Sequence, residues 1–299
     1  MRILLCGDLD ATERDIWQAA LAAAWPAGEW LDLDAARAAP RGVRAAVVAN
    51  PPPGALQGLP ELALVQSLWA GVERLLADPT LPADVPLARM VDPAMSTAMA
   101  ETAHWAVLSL HRDTFDYARQ QAAHRWQPHP QRRADEVPVL VLGRGELGSA
   151  VAARLRAAGH PVTAWGRGDD LDAALGVAEI VINLLPLTPQ TRGLVDARFL
   201  ARLPRGAALV NLARGAHVVE ADLLAALDAG HLRHAVLDVF AHEPLPPAHA
   251  FWSHERVTVL PHVAAATDPR SAAAVVAANL QALADGRPLA HVVDRSRGY

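Results

Sequence analysis

The chain holds a single cysteine, Cys6, so no internal disulfide framework can brace it. That residue sits in the apolar run "RILLCG", where a small thiol buried on a strand is the plain expectation. No apolar run approaches the length of a membrane span. The apolar start of the chain is also too brief for a signal peptide, because Asp8 and Asp10 follow at once. Positive charge is not in excess either. The formal net charge is −5, which gives no general attraction for polyanions and argues against a nucleic-acid partner. There is no internal repeat, no low-complexity tract beyond a general richness in alanine, and no Gly-x-Ser-x-Gly turn to anchor serine hydrolysis. What is there is a chain of 299 residues, 52% hydrophobic and 20% charged, long enough for two domains with cores of their own. These bounds fit a cytoplasmic enzyme or binding protein.

Residues 1 to 91 alternate short apolar runs with helical stretches: "RILLCG", "TERDIWQAALAAAW", "RAAVVAN", "LALVQSL" and "PLARMV". This rhythm predicts a small α/β unit with a parallel sheet. Asp92-Pro93 breaks it, and a long helix is expected over about Ser96 to Leu110. The polar segment "HRWQPHPQRRADE" that follows reads as an exposed arm whose arginines form a solvated face. From Val137 a second alternation runs through "VPVLVLG", "PVTAWG", "EIVINLLP", "GAALVNLA", "HAVLDVF" and "VTVLPHV", the pattern of a doubly wound sheet. A last helix is punctuated by Thr267 or Asp268 as N-cap, Pro269 in its first turn and Gly286 at its end. The fold class is therefore α/β, with two units of parallel sheet.

The second unit opens with "VLVLGRGELGSAVAARL", in which Gly143, Gly145 and Gly148 have the GxGxxG spacing. A bare match is weak, but here an apolar strand precedes it and an amphipathic helix follows, which is the context that a dinucleotide loop needs. Gly143 permits the tight turn, Gly145 lets backbone approach a pyrophosphate, and Gly148 lets helix pack on strand. The helix start at Glu146 and Leu147 then offers free N–H groups and partial positive charge to the anion. About twenty residues beyond the first glycine, an acidic residue is expected to hold the adenosine ribose 2′-OH. This chain has Gly166 and Arg167 there. A glycine removes the group that repels a 2′-phosphate, and an arginine can pair with one through two hydrogen bonds. The position favours NADP over NAD. The alternative is that Arg167 is merely solvated and that Asp169 or Asp170 reaches the ribose.

A redox cofactor needs a proton partner for the substrate and a group to hold its carboxylate or carbonyl. Arg214 in "VNLARGA", Glu243 in "FAHEPLP" and His262 in "VLPHVAA" each fall at or after a predicted strand end, where ligands bind in such sheets. Hydride delivery to a carbonyl leaves an alkoxide to be protonated, which is work suited to histidine. A glutamate can hold an imidazole, and arginine suits a planar carboxylate. Spacing alone does not bring the three together, and His262 taken singly reads as a core histidine. His231 and His234 in "GHLRHAV" invite a metal reading, but no third ligand follows at suitable spacing, so packing or surface roles are expected and no metal site is assigned.

The run "NLARGAHVVEADLLAALDAGHLRHAVLDVFAHEPLPPAHAFWSHERVTVLPHVAAAT" resembles the signature region of the D-2-hydroxyacid dehydrogenase family, with its Asn-x-x-Arg-Gly, Glu-Pro-Leu-Pro and Pro-His elements in order. "NLLPLTPQTRGLV", the glycine loop and "LVQSLWAGVE" also match, and the C-terminal "VVDRSRGY" is similar to the glyoxylate/hydroxypyruvate reductase subgroup. The resemblance implies a discontinuous substrate-binding domain, residues 1–92 plus 268–299, and an NAD(P)-binding Rossmann domain, residues 93–267, with substrate in the cleft between them. It implies that Arg214 binds the substrate carboxylate and carbonyl, that Glu243 orients His262, and that His262 is the acid in reduction and the base in oxidation. Asp238 would contact the nicotinamide carboxamide, and Leu185 and Pro186 would lie against the cofactor. Backbone N–H groups near Ala70, Gly71 and Val72 would hold the carboxylate. A homodimer through residues 96–136 is implied as well.

The chain also departs from the family. Ala49 and Asn50 stand where reductases of this subgroup often carry tryptophan, while Trp69 stands where many relatives have glycine. Trp69 is thus expected either to line the substrate pocket or to pack between domains. Only "GDDLDAALGVAE" separates Arg167 from the next strand, a shorter loop than in relatives. The resulting expectation is NADPH-preferring reduction of small 2-oxoacids such as glyoxylate or hydroxypyruvate. The alternatives are an NAD-dependent dehydrogenase of another 2-hydroxyacid and a non-catalytic dinucleotide-sensing protein, the last of which predicts loss of Arg214, Glu243 or His262.

Overall fold

The computed structural model describes residues 1–299. In chain order the strands are β1 (Arg2–Gly7), β2 (Glu29–Leu31), β3 (Val43–Ala49), β4 (Leu64–Ser67), β5 (Leu87–Ala88), β6 (Val139–Leu142), β7 (Val162–Trp165), β8 (Ile180–Asn183), β9 (Ala207–Asn211), β10 (Leu232–Leu237) and β11 (Val257–Val259). The helices are α1 (Ala11–Ala24), α2 (Leu33–Ala38), α3 (Glu73–Leu76), α4 (Pro93–His111), α5 (Thr114–Ala122), α6 (Glu146–Ala157), α7 (Leu171–Leu175), α8 (Ala197–Arg202), α9 (Glu220–Asp228) and α10 (Pro269–Ala284). They form two compact units, Met1–Met95 with Thr267–Tyr299, and Ser96–Ala266. No helix is long and apolar enough to cross a membrane.

The first unit has a five-stranded parallel sheet in the order β2-β1-β3-β4-β5, the flavodoxin-like arrangement. Cys6 is buried on β1, and that burial pushes its thiol up to about 11. The C-terminal helix α10 returns to this unit for a specific reason. Asn279 is fully buried on it, and its Nδ2 donates to Gln66 Oε1 on β4 at 2.7 Å. A buried amide pair is stable only when both partners are present, so the pairing selects this docking over a slipped one.

The second unit has a six-stranded parallel sheet in the order β11-β10-β9-β8-β6-β7. The order reverses between β6 and β8, so the crevice at their carboxyl ends is the switch point where doubly wound sheets bind ligands. Both faces are covered, and alternate residues of one strand serve different cores. Leu140, Leu142, Leu209 and Leu237 enter one cluster, whereas Val139, Val141, Val210 and Val236 enter the other with Met99, Ala103, Ala106 and Leu110 of α4. The long helix begins at Pro93 rather than near Ser96. Proline suits the first turn, and Asp92 Oδ1 accepts the Ala94 N–H at 3.0 Å, so the expected break is in fact the helix start. The segment after α5 is exposed as expected, although Arg132 is fastened to Glu179 at 2.5 Å.

His231 and His234 face different partners. His231 Nε2 faces the Leu200 carbonyl at 2.9 Å. His234 is buried, stacks on Phe115 with ring centroids 4.3 Å apart, and shares a hydrogen bond with Thr258 at 2.9 Å. Burial first, and then the charges of Arg119, Arg233 and His254, lower its pKa to about 3 from the ordinary 6.5. Between these two values the unfolded chain binds a proton here that the folded chain does not. Stability on this account is complete above pH 6.5 and falls as pH drops towards 3, by up to ~1.4 kcal/mol per pH unit. Urea unfolding between pH 4 and 7 should therefore show a shallower acid loss in His234→Gln than in the wild type, and parallel curves would remove His234 as a source of acid sensitivity.

Candidate functional site

The glycine loop lies at the switch point, between β6 and α6. Gly143 has φ +114°, a conformation that disfavours any side chain, and a Cβ there would stand 3.0 Å from the Leu184 carbonyl oxygen beyond β8. At Gly148 a Cβ would lie 2.0 Å from the Gly143 carbonyl oxygen, so the helix approaches the strand this closely only with glycine. Around Gly145 there is open space. The helix has no side-chain cap, and its first backbone bond runs from Ser149 N to Gly145 O. The N–H groups of Glu146, Leu147 and Gly148 are thus left for an anion. That donor set fits the pyrophosphate of a dinucleotide.

Beyond β7, Gly166 is buried and Arg167 is exposed on a turn. Asp169 and Asp170 both have tasks within the protein. Asp169 Oδ2 accepts the Gly166 N–H at 2.9 Å, and Asp170 caps α7 through the Ala173 N–H at 3.0 Å. Each acid thus has a hydrogen-bonding role within the turn.

A candidate acid–base pair is assembled in the loops after β10 and β11. Glu243 Oε2 lies 2.7 Å from His262 Nδ1, while Glu243 Oε1 accepts the Phe240 N–H at 2.9 Å. The carboxylate is thereby anchored to backbone on one side and aims the imidazole on the other, leaving Nε2 to exchange a proton. His262 has φ +55°, an uncommon conformation for a residue with a side chain, costing ~1–3 kcal/mol. Asp238 holds it there. Its carbonyl accepts the His262 N–H at 2.9 Å, and its carboxylate accepts those of Val263 at 2.8 Å and Ala264 at 3.1 Å. Buried at the end of β10, Asp238 thus positions the histidine loop.

Arg214 follows β9. Its neighbour Gly215 lies so close to Phe240 that a Cβ would stand 1.8 Å from the Phe240 carbonyl carbon. The glycine therefore brings Arg214 alongside the segment that anchors Glu243. The Arg214 carbonyl accepts from Asn211 Nδ2 at 3.0 Å and faces His217 Nδ1 at 3.1 Å. His217 is fully buried, and its Nε2 faces the Pro186 carbonyl at 3.3 Å. Asn183 Nδ2 in turn donates to Asn211 Oδ1 at 3.0 Å, and its own Oδ1 accepts the Leu185 N–H at 3.2 Å. A continuous buried network thus ties the Leu185–Pro186 loop to Arg214.

In the first unit, the loop after β4 carries Trp69, Ala70, Gly71 and Val72. Ser67 Oγ holds it by accepting the Trp69 N–H at 3.0 Å, and the Trp69 ring packs edge-on against Trp17 of α1 with centroids 6.2 Å apart. No acceptor takes the N–H groups of Ala70, Gly71 or Val72.

Residues 104–264 match a family model described as the NAD binding domain of D-isomer specific 2-hydroxyacid dehydrogenase. The chain belongs to this dehydrogenase family. It is 42% identical over 272 residues to glyoxylate/hydroxypyruvate reductase A of Klebsiella pneumoniae subsp. pneumoniae, covering 85% of this chain and 87% of that protein. Among solved structures it is similar to a D-isomer specific 2-hydroxyacid dehydrogenase from Xanthobacter autotrophicus Py2 in complex with NADPH and MES. There the TM-score is 0.93 with 40% identity, over 100% of this chain and 99% of that one. It is also similar to an NADPH-dependent glyoxylate/hydroxypyruvate reductase from Sinorhizobium meliloti in complex with NADP and sulfate, with a TM-score of 0.91 and 36% identity over 100% and 99% of the two chains.

In this dehydrogenase the network behind Arg214 is built from residues that sequence reasoning passed over. Asn183 and Asn211 are register partners at the ends of adjacent strands, a signal present in "VIN" and "LVN". His217 gave no such signal, because its partners lie at the ends of two different loops.

Proposed function

We propose that this dehydrogenase reduces small 2-oxoacids of the glyoxylate and hydroxypyruvate type to D-2-hydroxyacids, with NADPH preferred over NADH. The Glu243–His262 contact of 2.7 Å, held in the same unit as the glycine loop, is the observation that carries this reading. Gly143, Gly145, Glu146, Leu147 and Gly148 would hold the pyrophosphate, Leu185 and Pro186 would lie against the cofactor, and Arg167 would meet the 2′-phosphate. NADPH, when bound, supplies the hydride. The chain's own residues do the rest: Arg214 grips the carboxylate and polarises the carbonyl. His262 gives its Nε2 proton to the alkoxide while Glu243 steadies the imidazolium. Intact Arg214, Glu243 and His262 support an enzyme over a sensing protein. The enzyme is read as a cytoplasmic homodimer through residues 96–136, supported by the exposure of Trp105 and Leu108 on α4.

Initial rates with NADPH and NADH across glyoxylate, hydroxypyruvate, pyruvate and phenylpyruvate test this reading. The first two substrates should be reduced fastest, with kcat/KM for NADPH above that for NADH by roughly tenfold or more, the size of one charge-assisted hydrogen bond. No oxidation of either cofactor with any 2-oxoacid would favour the sensing protein instead.

A further inference from the structure

The site so far leaves Arg144, the residue between the first two loop glycines, without a task. Its guanidinium lies over Gly166, where a Cβ would stand 2.4 Å from Arg144 Nε and 2.9 Å from Nη2. The missing side chain at Gly166 therefore does more than spare a 2′-phosphate from repulsion: it makes the bed in which Arg144 rests. Nη2 of Arg144 is 3.2 Å from Asp169 Oδ2, with both side chains substantially exposed, so this pair is screened and easily exchanged. Asp169 does not depend on Arg144 for its position. Its carboxylate also takes the Gly166 N–H, its carbonyl accepts from Trp165 Nε1 at 3.1 Å, and its N–H donates to Gly166 O at 3.1 Å. The carboxyl end of β7 thus presents two guanidinium groups, Arg144 weakly paired and Arg167 unpaired, beside two acids committed to the turn.

We propose that Arg144 is the second guanidinium of the 2′-phosphate site and that Asp169 holds it at the ready until the phosphate takes it over. This inference rests on the NADPH reading above. A phosphate monoester carries about −1.5 to −2 charge near neutrality and three acceptor oxygens, more than the single, already shared carboxylate of Asp169. Arg144 therefore transfers from carboxylate to phosphate while Asp169 stays on the Gly166 N–H. NADH offers only a hydroxyl at this point and leaves the ion pair as it is. The short loop after Arg167 supplies few further donors, and a guanidinium from the glycine loop makes up the difference.

Equilibrium binding of NADPH, NADH, 2′-AMP and 5′-AMP to the wild type, Arg144→Ala, Arg144→Lys and Asp169→Asn tests the assignment. Arg144→Ala should weaken NADPH and 2′-AMP by roughly 10- to 100-fold. Unchanged NADH affinity in the same variant shows that it is folded. Arg144→Lys should recover part of the loss, and Asp169→Asn, which removes the competing carboxylate, should tighten NADPH. Equal weakening of NADPH and NADH would overturn the proposal and move Arg144 to the adenine or pyrophosphate that both carry, and so would NADPH affinity unchanged in Arg144→Ala. If the wild type reduces 2-oxoacids with NADPH while Arg144→Ala binds NADPH normally, the inference fails and the reductase reading stands. If 2′-AMP binding depends on Arg144 but no 2-oxoacid is reduced, the reverse holds.

Discussion

Alanine in place of His262 lowers kcat for 2-oxoacid reduction by about 10²- to 10⁴-fold while NADPH affinity stays within about twofold of wild type. The split between the two readouts follows from the structure. The glycine loop lies between β6 and α6, whereas His262 follows β11, so removing the ring leaves the N–H groups of that loop untouched. What is lost is the one imidazole held by a carboxylate at 2.7 Å. Part of the price of that geometry is visible in the backbone, where His262 keeps φ +55° because Asp238 takes three successive N–H groups. Glu243→Gln should fall between the wild type and His262→Ala, since an amide can still bond the ring but cannot balance an imidazolium. Stopped-flow or steady-state rates with cofactor titrated separately make the comparison, and turnover unchanged in His262→Ala would remove it as the proton carrier.

Arg214→Ala lowers kcat/KM by about 10²- to 10³-fold, the cost of leaving a desolvated carboxylate without its charged partner. Arg214→Lys should recover only a small part, because a single ammonium cannot reproduce two parallel N–H bonds to carboxylate and carbonyl. The backbone beneath this side chain is clamped by Asn211 and His217 and pressed against Phe240 at Gly215, so the guanidinium is delivered from a fixed base. Activity lost equally with carboxylate-bearing and carboxylate-free carbonyl substrates would argue that Arg214 supports the fold rather than the substrate.

These two residues, with Glu243, were legible in the sequence because each stands at a strand end inside a motif of fixed order. The residues that hold them were harder to read. Asp238 in "LDVF" has its hydrogen-bond partners 24 to 26 positions along the chain, and His217 joins Arg214 to a loop 31 residues earlier. Trp69 was expected to line the substrate pocket or to pack between domains, and its ring rests edge-on against Trp17. Asp92-Pro93 works in the other direction. The same dipeptide that breaks one regular element begins the next, and only the buried Asp92 cap, braced by Ser271 Oγ at 2.6 Å, decides which.

By itself the sequence determined the alternation of strands and helices, the glycine spacing of the dinucleotide loop, and the candidates for the acid–base and carboxylate-binding side chains. Those features are local, because period, turn sterics and side-chain chemistry are written within a few residues. The tertiary structure alone decided which of these groups also hydrogen-bond within the protein. It tied Asp169 and Asp170 into the turn, gave Asp238 to the histidine loop, and laid Arg144 over Gly166. Hydrogen-bond commitment is a property of neighbours in space, and those neighbours here come from strands that the chain visits far apart.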